Sequence, residues 1–252
     1  MGNEMVAKKD LDLGLLKERL KMQSEFGEII PDELKYFSVL YISAENKPVS
    51  KFCFNRKEAE DFLESENFPV VKRSFCKNKF YLKRAISKVG FPCVMKVYSK
   101  EIVHKNKFKG VHKNINNYSS ALEIFNSLKK LPGFRGVVIQ KEISGREIIL
   151  GIKRTLEFGH IILFGSGGIE VEEKRDVSFR ITPFNKIEAL KLIQETRLFK
   201  VLNSREKNHL VDLIMDLQEL ASDYPRIKEL DINPLMIKDN FFKIVDSRIV
   251  FE

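Results

Sequence analysis

The chain has 252 residues, 43% of them hydrophobic, with a formal net charge of +9. That length and apolar share suit one large globular domain or two small ones with real cores. No apolar run approaches the roughly 20 residues of a bilayer span, and residues 1–12 hold acids where a signal peptide needs an apolar core.

Along the chain, residues 1–50 differ from the rest. Leu11, Leu13, Leu15, Leu16 and Leu20 predict an amphipathic helix over 10–23, and residues 36–42 a strand. Val6 stands where a myristoylation motif needs Ser or Thr, so Gly2 is not expected to be acylated. The segment carries no chemistry and reads as an extension, a candidate partner-docking element; residues 51–252 read as one domain.

Asn55-Arg56-Lys57-Glu58 has the form of a capping box opening a helix through Ser65. Residues 70–75 read as a strand. A second helix, capped by Asn78, closes at Gly90, and residues 91–97 form a buried strand. Cys53, Cys76 and Cys93 are far apart, odd in number and lack C-x-x-C spacing. They exclude a disulfide framework or cysteine zinc site and suit a reducing cytosol, so a cytoplasmic protein is expected. The densest basic stretch, 100–113, holds Lys100, Lys105, Lys107, Lys109 and Lys113. With no recognition motif beside it, it reads as a solvated face or an attraction to phosphorylated small molecules rather than to nucleic acid. A helix over 119–130 ends at Pro132-Gly133. Strands follow at 137–142, 147–153 and 161–164, with Ser144-Gly145 as one turn of an antiparallel sheet. Helices at 186–198 and 206–222 precede strands at 227–232, 235–237 and 241–245.

Four features carry chemistry. Lys96 sits inside the apolar strand V-M-K-V, where it can present a point charge to a phosphate. Gly145-Arg146-Glu147 joins two strands. L-F-G-S-G-G, with Gly165, Gly167 and Gly168, is a loop whose N–H groups can face an anion, followed by Asp176 and Arg180. Last come L-D-I-N-P and V-D-S-R. Asp231 and Asn233 are two apart on a strand and share a face, and Asp246 on the next strand can join them. Such oxygen donors suit Mg²⁺, which needs few protein ligands when phosphates and waters complete its shell.

Together these residues resemble the ATP-grasp beta subunit of the ADP-forming acetyl-CoA synthetases, relatives of succinyl-CoA synthetase. The resemblance runs over residues 52–252. It is carried in order by F-P-C-V-M-K-V-Y-S-K-E-I-V-H-K, G-R-E-I-I-L-G-I-K-R, E-F-G-H-I-I-L-F-G-S-G-G-I-E-V-E-E-K-R-D-V-S-F-R-I-T-P, E-L-D-I-N-P and V-D-S-R-I. It implies a mixed α+β fold, ATP-grasp, with two subdomains enclosing ATP or ADP. It puts Lys96 on the family's phosphate-contacting lysine, and Gln140, Lys141, Glu142 and Ile143 on the hinge that meets adenine. Glu147 and the glycines complete the nucleotide site. Asn233 and Asp246 fall on the magnesium ligands, with Asp231 beside them. His104 falls on the mobile histidine that looks, in this family, like a phosphoryl carrier. Neutral imidazole is chemically apt for that role, being nucleophilic near neutral pH.

The resemblance further implies a catalytic subunit of an NDP-forming acyl-CoA synthetase. No CoA-binding segment with a second phosphorylatable histidine is read in the chain, so a CoA-binding alpha subunit and a hetero-oligomer are expected. Some positions depart from the family. Asn106-Lys107-Phe108-Lys109-Gly110 stands where Ser-Asp-x-Gly-Gly is usual, Arg154-Thr155 replaces Arg-Asp, and a Gly-x-Arg-Gly is missing near Asn203-Ser204. These changes spare the nucleotide residues and fall on the histidine loop and partner contact. They keep open a second reading, a nucleotide-binding regulatory subunit without phosphoryl relay. A third reading, a basic protein associated with nucleic acid, rests on charge alone.

Overall fold

A computed structural model describes residues 53–54, 56–99, 110–167 and 176–251. The chain divides into two units, Met1–Pro48 and Val49–Glu252. The helix and strand expected at 10–23 and 36–42 lie outside the described residues, all of which belong to the second unit.

This unit is built on two antiparallel sheets. The smaller has four strands in the order β2 (Arg73–Cys76), β5 (Phe134–Lys141), β3 (Cys93–Ser99), β4 (Val111–Ile115). Helices α2 (Leu82–Val89) and α3 (Tyr118–Leu128) supply its apolar layer. In α2 the residues Leu82, Ala85, Ile86 and Val89 recur at helical spacing and are buried, while Lys83, Arg84 and Lys88 face water. Cys93, Met95 and Val97 alternate along β3 and are fully enclosed against these helices. Asn78 caps the 3₁₀ turn Lys79–Tyr81 that leads into α2, and Gly90 closes the helix.

The larger sheet has seven strands. The order is β1 (Cys53–Phe54), β11 (Ser247–Phe251), β9 (Ile227–Lys238), β6 (Arg146–Thr155), β7 (Gly159–Ser166), β8 (Val177–Ile181), with β10 (Phe241–Ile244) also on β9. Its core joins residues of these strands to α1 (Arg56–Ser65), α4 (Lys186–Gln194) and α5 (Ser204–Asp223). A capping box, Asn203 with Glu206, starts α5. Leu210, Leu213, Ile214, Leu217 and Leu220 form its buried stripe, each such side chain contributing roughly 1.5–3 kcal/mol. Among the described residues no helix is long and apolar enough to cross a membrane.

The helices and sheets make this a mixed α+β unit, as expected. Ser144-Gly145 differs from expectation. Residues 142–145 are not a hairpin turn within one sheet; they carry the chain from β5 of the small sheet to β6 of the large one. Glycine is needed there because a Cβ at Gly145 would lie 2.3 Å from the carbonyl oxygen of Ile237, at a φ of +155°.

The segment leading into the small sheet is bonded to β10 of the large one. Val71 N–H donates to the Ile244 carbonyl, and Ile244 N–H donates to the Pro69 carbonyl at 2.8 Å. Arg73 of β2 pairs with Glu60, Asp61 and Glu64 of α1 at 3.2, 2.6 and 3.0 Å. The Arg73 and Glu60 side chains are themselves nearly enclosed, so removing one would strand a buried charge.

Candidate functional site

Lys96 lies at the middle of β3 and is 7% exposed. An ammonium there needs a partner. Its Nζ donates at 2.8 Å to the carbonyl of Val245, which belongs to the other sheet's β10–β11 junction. Gln140 of β5 is fully buried, and its amide Nε2 donates to the same carbonyl at 3.2 Å and to both Glu60 oxygens at 3.3 Å. Thus the Gln140 side chain is engaged in joining the two sheets. Its Oε1 finds no hydrogen-bond partner among the described residues.

The segment after Gln140 is tied down on both sides. Lys141 Nζ donates to the Phe91 carbonyl at 2.6 Å, and Glu142 Oε2 accepts from the N–H of Asn114 at 2.9 Å. Glu142, Ile143 and Ser144 then line a depression of about 280 Å³ whose other wall is Lys238, Asp239 and Phe241. Phe241 is 52% exposed there.

The oxygen donors gather where β9 is irregular. The span 227–237 is not strand, turn, strand. It is one continuous strand that runs through Asn233-Pro234. Ile232 and Leu235 of β9 face Leu150 and Ile148 of β6, so β9 holds one extra residue at this point, a bulge. Pro234 has no N–H to give the ladder, which fits it to such a place. On the other edge of β9, Asn233 N–H donates to the Asp246 carbonyl and Val245 N–H to the Pro234 carbonyl, both at 3.0 Å. The backbones of Asn233 and Asp246 therefore stand side by side. Asp231 pairs with Arg248 and Gly151 in regular register. Along the β11 edge the register runs on regularly from Asp231, opposite Arg248, to Asn233, bonded to Asp246, and both residues alternate with the buried Leu230 and Ile232. No cluster of three or more His, Cys, Asp or Glu residues suited to a metal exists among the described residues. An amide and a carboxylate oxygen, from Asn233 and Asp246, are the hard donors Mg²⁺ prefers, in the small number it accepts.

Glu147 opposes Met236 across β6 and β9. Its carbonyl accepts the N–H of Gly167 at 2.7 Å. A Cβ at Gly167 would fall 2.7 Å from Glu147, and one at Gly165 would fall 2.6 Å from the Asp176 carbonyl. These two glycines permit close approach of neighbouring chain; Gly165 is a paired residue of β7, and the Gly167 N–H is already used. Asp176 accepts from the Ser166 hydroxyl and from Arg197 N–H at 2.9 and 3.1 Å. Arg180 is turned to carboxylates, Glu188 at 3.2 Å and Glu195 at 2.5 Å. Burial would lower its pKa, but the two glutamates outweigh that and raise it. His104 and Gly168 lie outside the described residues.

Lys96, Asn233, Asp246, Glu147 and the two glycines thus sit on or against successive strands of the large sheet. From the β10–β11 junction through β9 and β6 to β7 is three strand spacings, about 14 Å. Sequence reasoning missed Val245, whose carbonyl is the shared acceptor, and the Glu60–Arg73 group. It noted Asp176 without its partners.

Comparison with known proteins agrees with this architecture. The ATP-grasp domain family matches residues 50–251. The beta subunit of acetate–CoA ligase [ADP-forming] I of Pyrococcus furiosus is 34% identical over 221 residues, 82% of this chain and 93% of that subunit. Acetate–CoA ligase [ADP-forming] II of Archaeoglobus fulgidus is 33% identical over 199 residues, 77% of this chain but 29% of that longer protein. A solved structure of acetyl-coenzyme A synthetase 1 from Ca. Korarchaeum cryptofilum superimposes with a TM-score of 0.69 at 27% identity, covering 79% of this chain and 93% of that one. That structure holds coenzyme A and Mg-AMPPCP, with its phosphohistidine segment pointing towards the nucleotide binding site. The chain belongs to the ATP-grasp family, within the group formed by the beta subunits of ADP-forming acetate–CoA ligases.

Proposed function

We propose that the chain is the nucleotide-binding catalytic subunit of an NDP-forming acyl-CoA synthetase, acyl-CoA + ADP + phosphate ⇌ carboxylate + ATP + CoA. One observation carries the reading: Lys96 Nζ lies 2.8 Å from the Val245 carbonyl, beside Asp246, whose backbone is bonded to Asn233. A cation from one sheet and two oxygen donors from the other converge on one strand junction. Phosphoryl transfer calls for that kind of positioning and charge neutralisation.

In this reading Lys96 and Glu147 border the phosphates, with Gly165, Gly167 and Gly168 in the loop beside them. Gln140, Lys141, Glu142 and Ile143 form the hinge beside adenine. Asn233 and Asp246, with Asp231 near them, would hold Mg²⁺, which neutralises phosphate charge when bound. His104 attacks the γ-phosphorus of ATP through a ring nitrogen. The N–P bond forms as the bond to the ADP oxygen breaks, and Lys105, Lys107 and Lys109 favour the added charge. The phosphoryl group then passes to a CoA-binding alpha subunit with its own histidine. The protein works as a hetero-oligomer in the cytoplasm, with neither nucleic acid nor membrane as partner.

The test is co-purification with the alpha subunit and assay of acyl-dependent ATP formation. His104→Ala should abolish turnover and leave ATP affinity within about twofold. Incubation with γ-labelled ATP followed by a basic quench should leave label on His104. Normal turnover of the variant pair would remove the relay. The Asn106–Lys109 departure would then favour the second reading, a regulatory subunit that binds nucleotide without passing phosphoryl groups.

A further inference from the structure

The β9–β10 hairpin turns on Asp239 and Asn240, at φ of +50° and +62°, the backbone of a two-residue turn. Across it Phe241 opposes Lys238 and Lys243 opposes Met236; on the other side of β9, Met236 opposes Glu147. Residues that oppose each other across a ladder share a face, as do residues two apart on one strand. Glu147, Met236, Lys238, Phe241 and Lys243 therefore lie on one face of the large sheet. Their neighbours Ile148, Leu235, Ile237, Phe242 and Ile244 belong to the core under the helices, so this is the face turned away from α1, α4 and α5. Asn233 lies on it too, since its neighbour Ile232 belongs to that core.

The face ends where the chain crosses between the sheets. A Cβ on Gly145 would lie 2.3 Å from the Ile237 carbonyl oxygen, so hairpin and crossing touch. Between them is the depression of about 280 Å³, with Glu142, Ile143 and Ser144 on one side and Lys238, Asp239 and Phe241 on the other. Phe241 stands 52% exposed in its wall, with Lys243 Nζ 5.4 Å from the ring centroid. A phenyl ring half in water has apolar surface still to bury, and its flat face suits a flat aromatic ligand. Asn233 stands five residues back along β9, at most about 16 Å. A ligand that engages both ends must be elongated, with an aromatic group at one end and a metal-bound anion at the other, as a nucleotide is.

We propose that Phe241 is a substrate contact, the surface on which the nucleotide's base stacks. The inference rests on the nucleotide reading given above and adds a residue from outside the hinge segment. Stacking acts on the base and not on the polyphosphate, and every base offers a π-face. Loss of the ring should therefore separate the affinity for nucleotide from that for inorganic polyphosphate, which a general weakening of the fold would lower together.

Calorimetry on the full chain with Mg-ATP and with Mg-tripolyphosphate tests this. Phe241→Ala should weaken Mg-ATP about tenfold, equivalent to about 1.4 kcal/mol, and change Mg-tripolyphosphate less than about twofold. The chain has no tryptophan, so Phe241→Trp adds a single fluorophore that still stacks. Its emission should be quenched as Mg-ATP binds and stay constant with Mg-tripolyphosphate or with coenzyme A, which carries an adenine of its own. This variant decides the matter should Phe241→Ala fail to fold. Unchanged Mg-ATP affinity in Phe241→Ala, an equal loss for tripolyphosphate, or emission that ignores bound Mg-ATP would overturn the stacking role while leaving the nucleotide reading intact. Quenching by coenzyme A alone would overturn it in the same way. A native chain that binds no Mg-ATP would overturn both.

Discussion

Asp246 combines two duties that substitution can separate. Its backbone carbonyl holds Asn233, and its carboxylate is the proposed oxygen donor to Mg²⁺. Asp246→Asn keeps the backbone bond and the side-chain volume while removing the charge. Mg-nucleotide affinity should fall at least about tenfold, about 1.4 kcal/mol, while the thermal midpoint moves by no more than a few degrees. Calorimetry beside a thermal melt checks it, and unchanged Mg-ADP affinity would remove Asp246 from the metal site. At this scale the legible residues are those whose type conflicts with their surroundings. Lys96 stands out because a charge within V-M-K-V must find a partner. Asn233 stands out as a polar residue between Ile232 and Pro234, and Asp246 as an acid directly after the apolar Ile244-Val245. What escapes is the work of backbone atoms. Nothing in the letter for Val245 says that its carbonyl will receive both Lys96 and Gln140. Gln140 escapes in the same way, because its bond to Glu60 spans 80 positions.

Strand β3 shows how an element's two sides diverge. Lys96 reaches across to the other sheet, while Cys93, Met95 and Val97 are sealed against α2 and α3. Burial pushes the Cys93 thiol up to about 11 from 9.0, helped by the Glu142 carboxylate and opposed by Lys141. Burial raises Cys76 as well. The sign follows from proton binding. Below pH 9 the thiol is protonated in both folded and unfolded chains. Between 9 and about 11 the unfolded chain has lost the proton that the folded chain still holds, so stability falls as pH rises. Urea midpoints at pH 7, 9 and 10.5 should decline over the last step, and Cys93→Ala should flatten that decline. An equally steep fall in the variant would show that other groups govern it. Elements with strong periodicity were legible, including α2, α3, α5, β6 and β7. V-H-K-N-I of β4 was not, since its two apolar residues are too few to signal a strand; V-S-F-R-I of β8 alternates Val177, Phe179 and Ile181 with polar residues and carried a strand signal that went unread. At Asn233-Pro234 the local preference for a turn lost to the ladder on both edges of β9, which a bulge preserves.

At the scale of the whole molecule, Val49–Glu252 forms a unit of its own by internal contacts, and the family match begins at residue 50. A chain lacking the first 48 residues should therefore fold and bind Mg-ATP within a few-fold of the full chain. A folded truncation with no nucleotide binding would assign those residues to the site. The α+β class was legible from the alternation of helical and strand periods. The partition into two sheets was not given by those periods; only the resemblance, with its two subdomains, implied it. Short connections look alike whether they join neighbours in one sheet or cross to another, and residues 142–145 do the latter. The seam between the sheets carries a further consequence. In this structure the Lys96 ammonium spends its hydrogen bond on the molecule itself, at the Val245 carbonyl. The ammonium keeps two further N–H donors, so a phosphate can engage Lys96 while the Val245 anchor stays in place. The side chain is held before the ligand arrives, and less rotamer freedom is left to lose on binding.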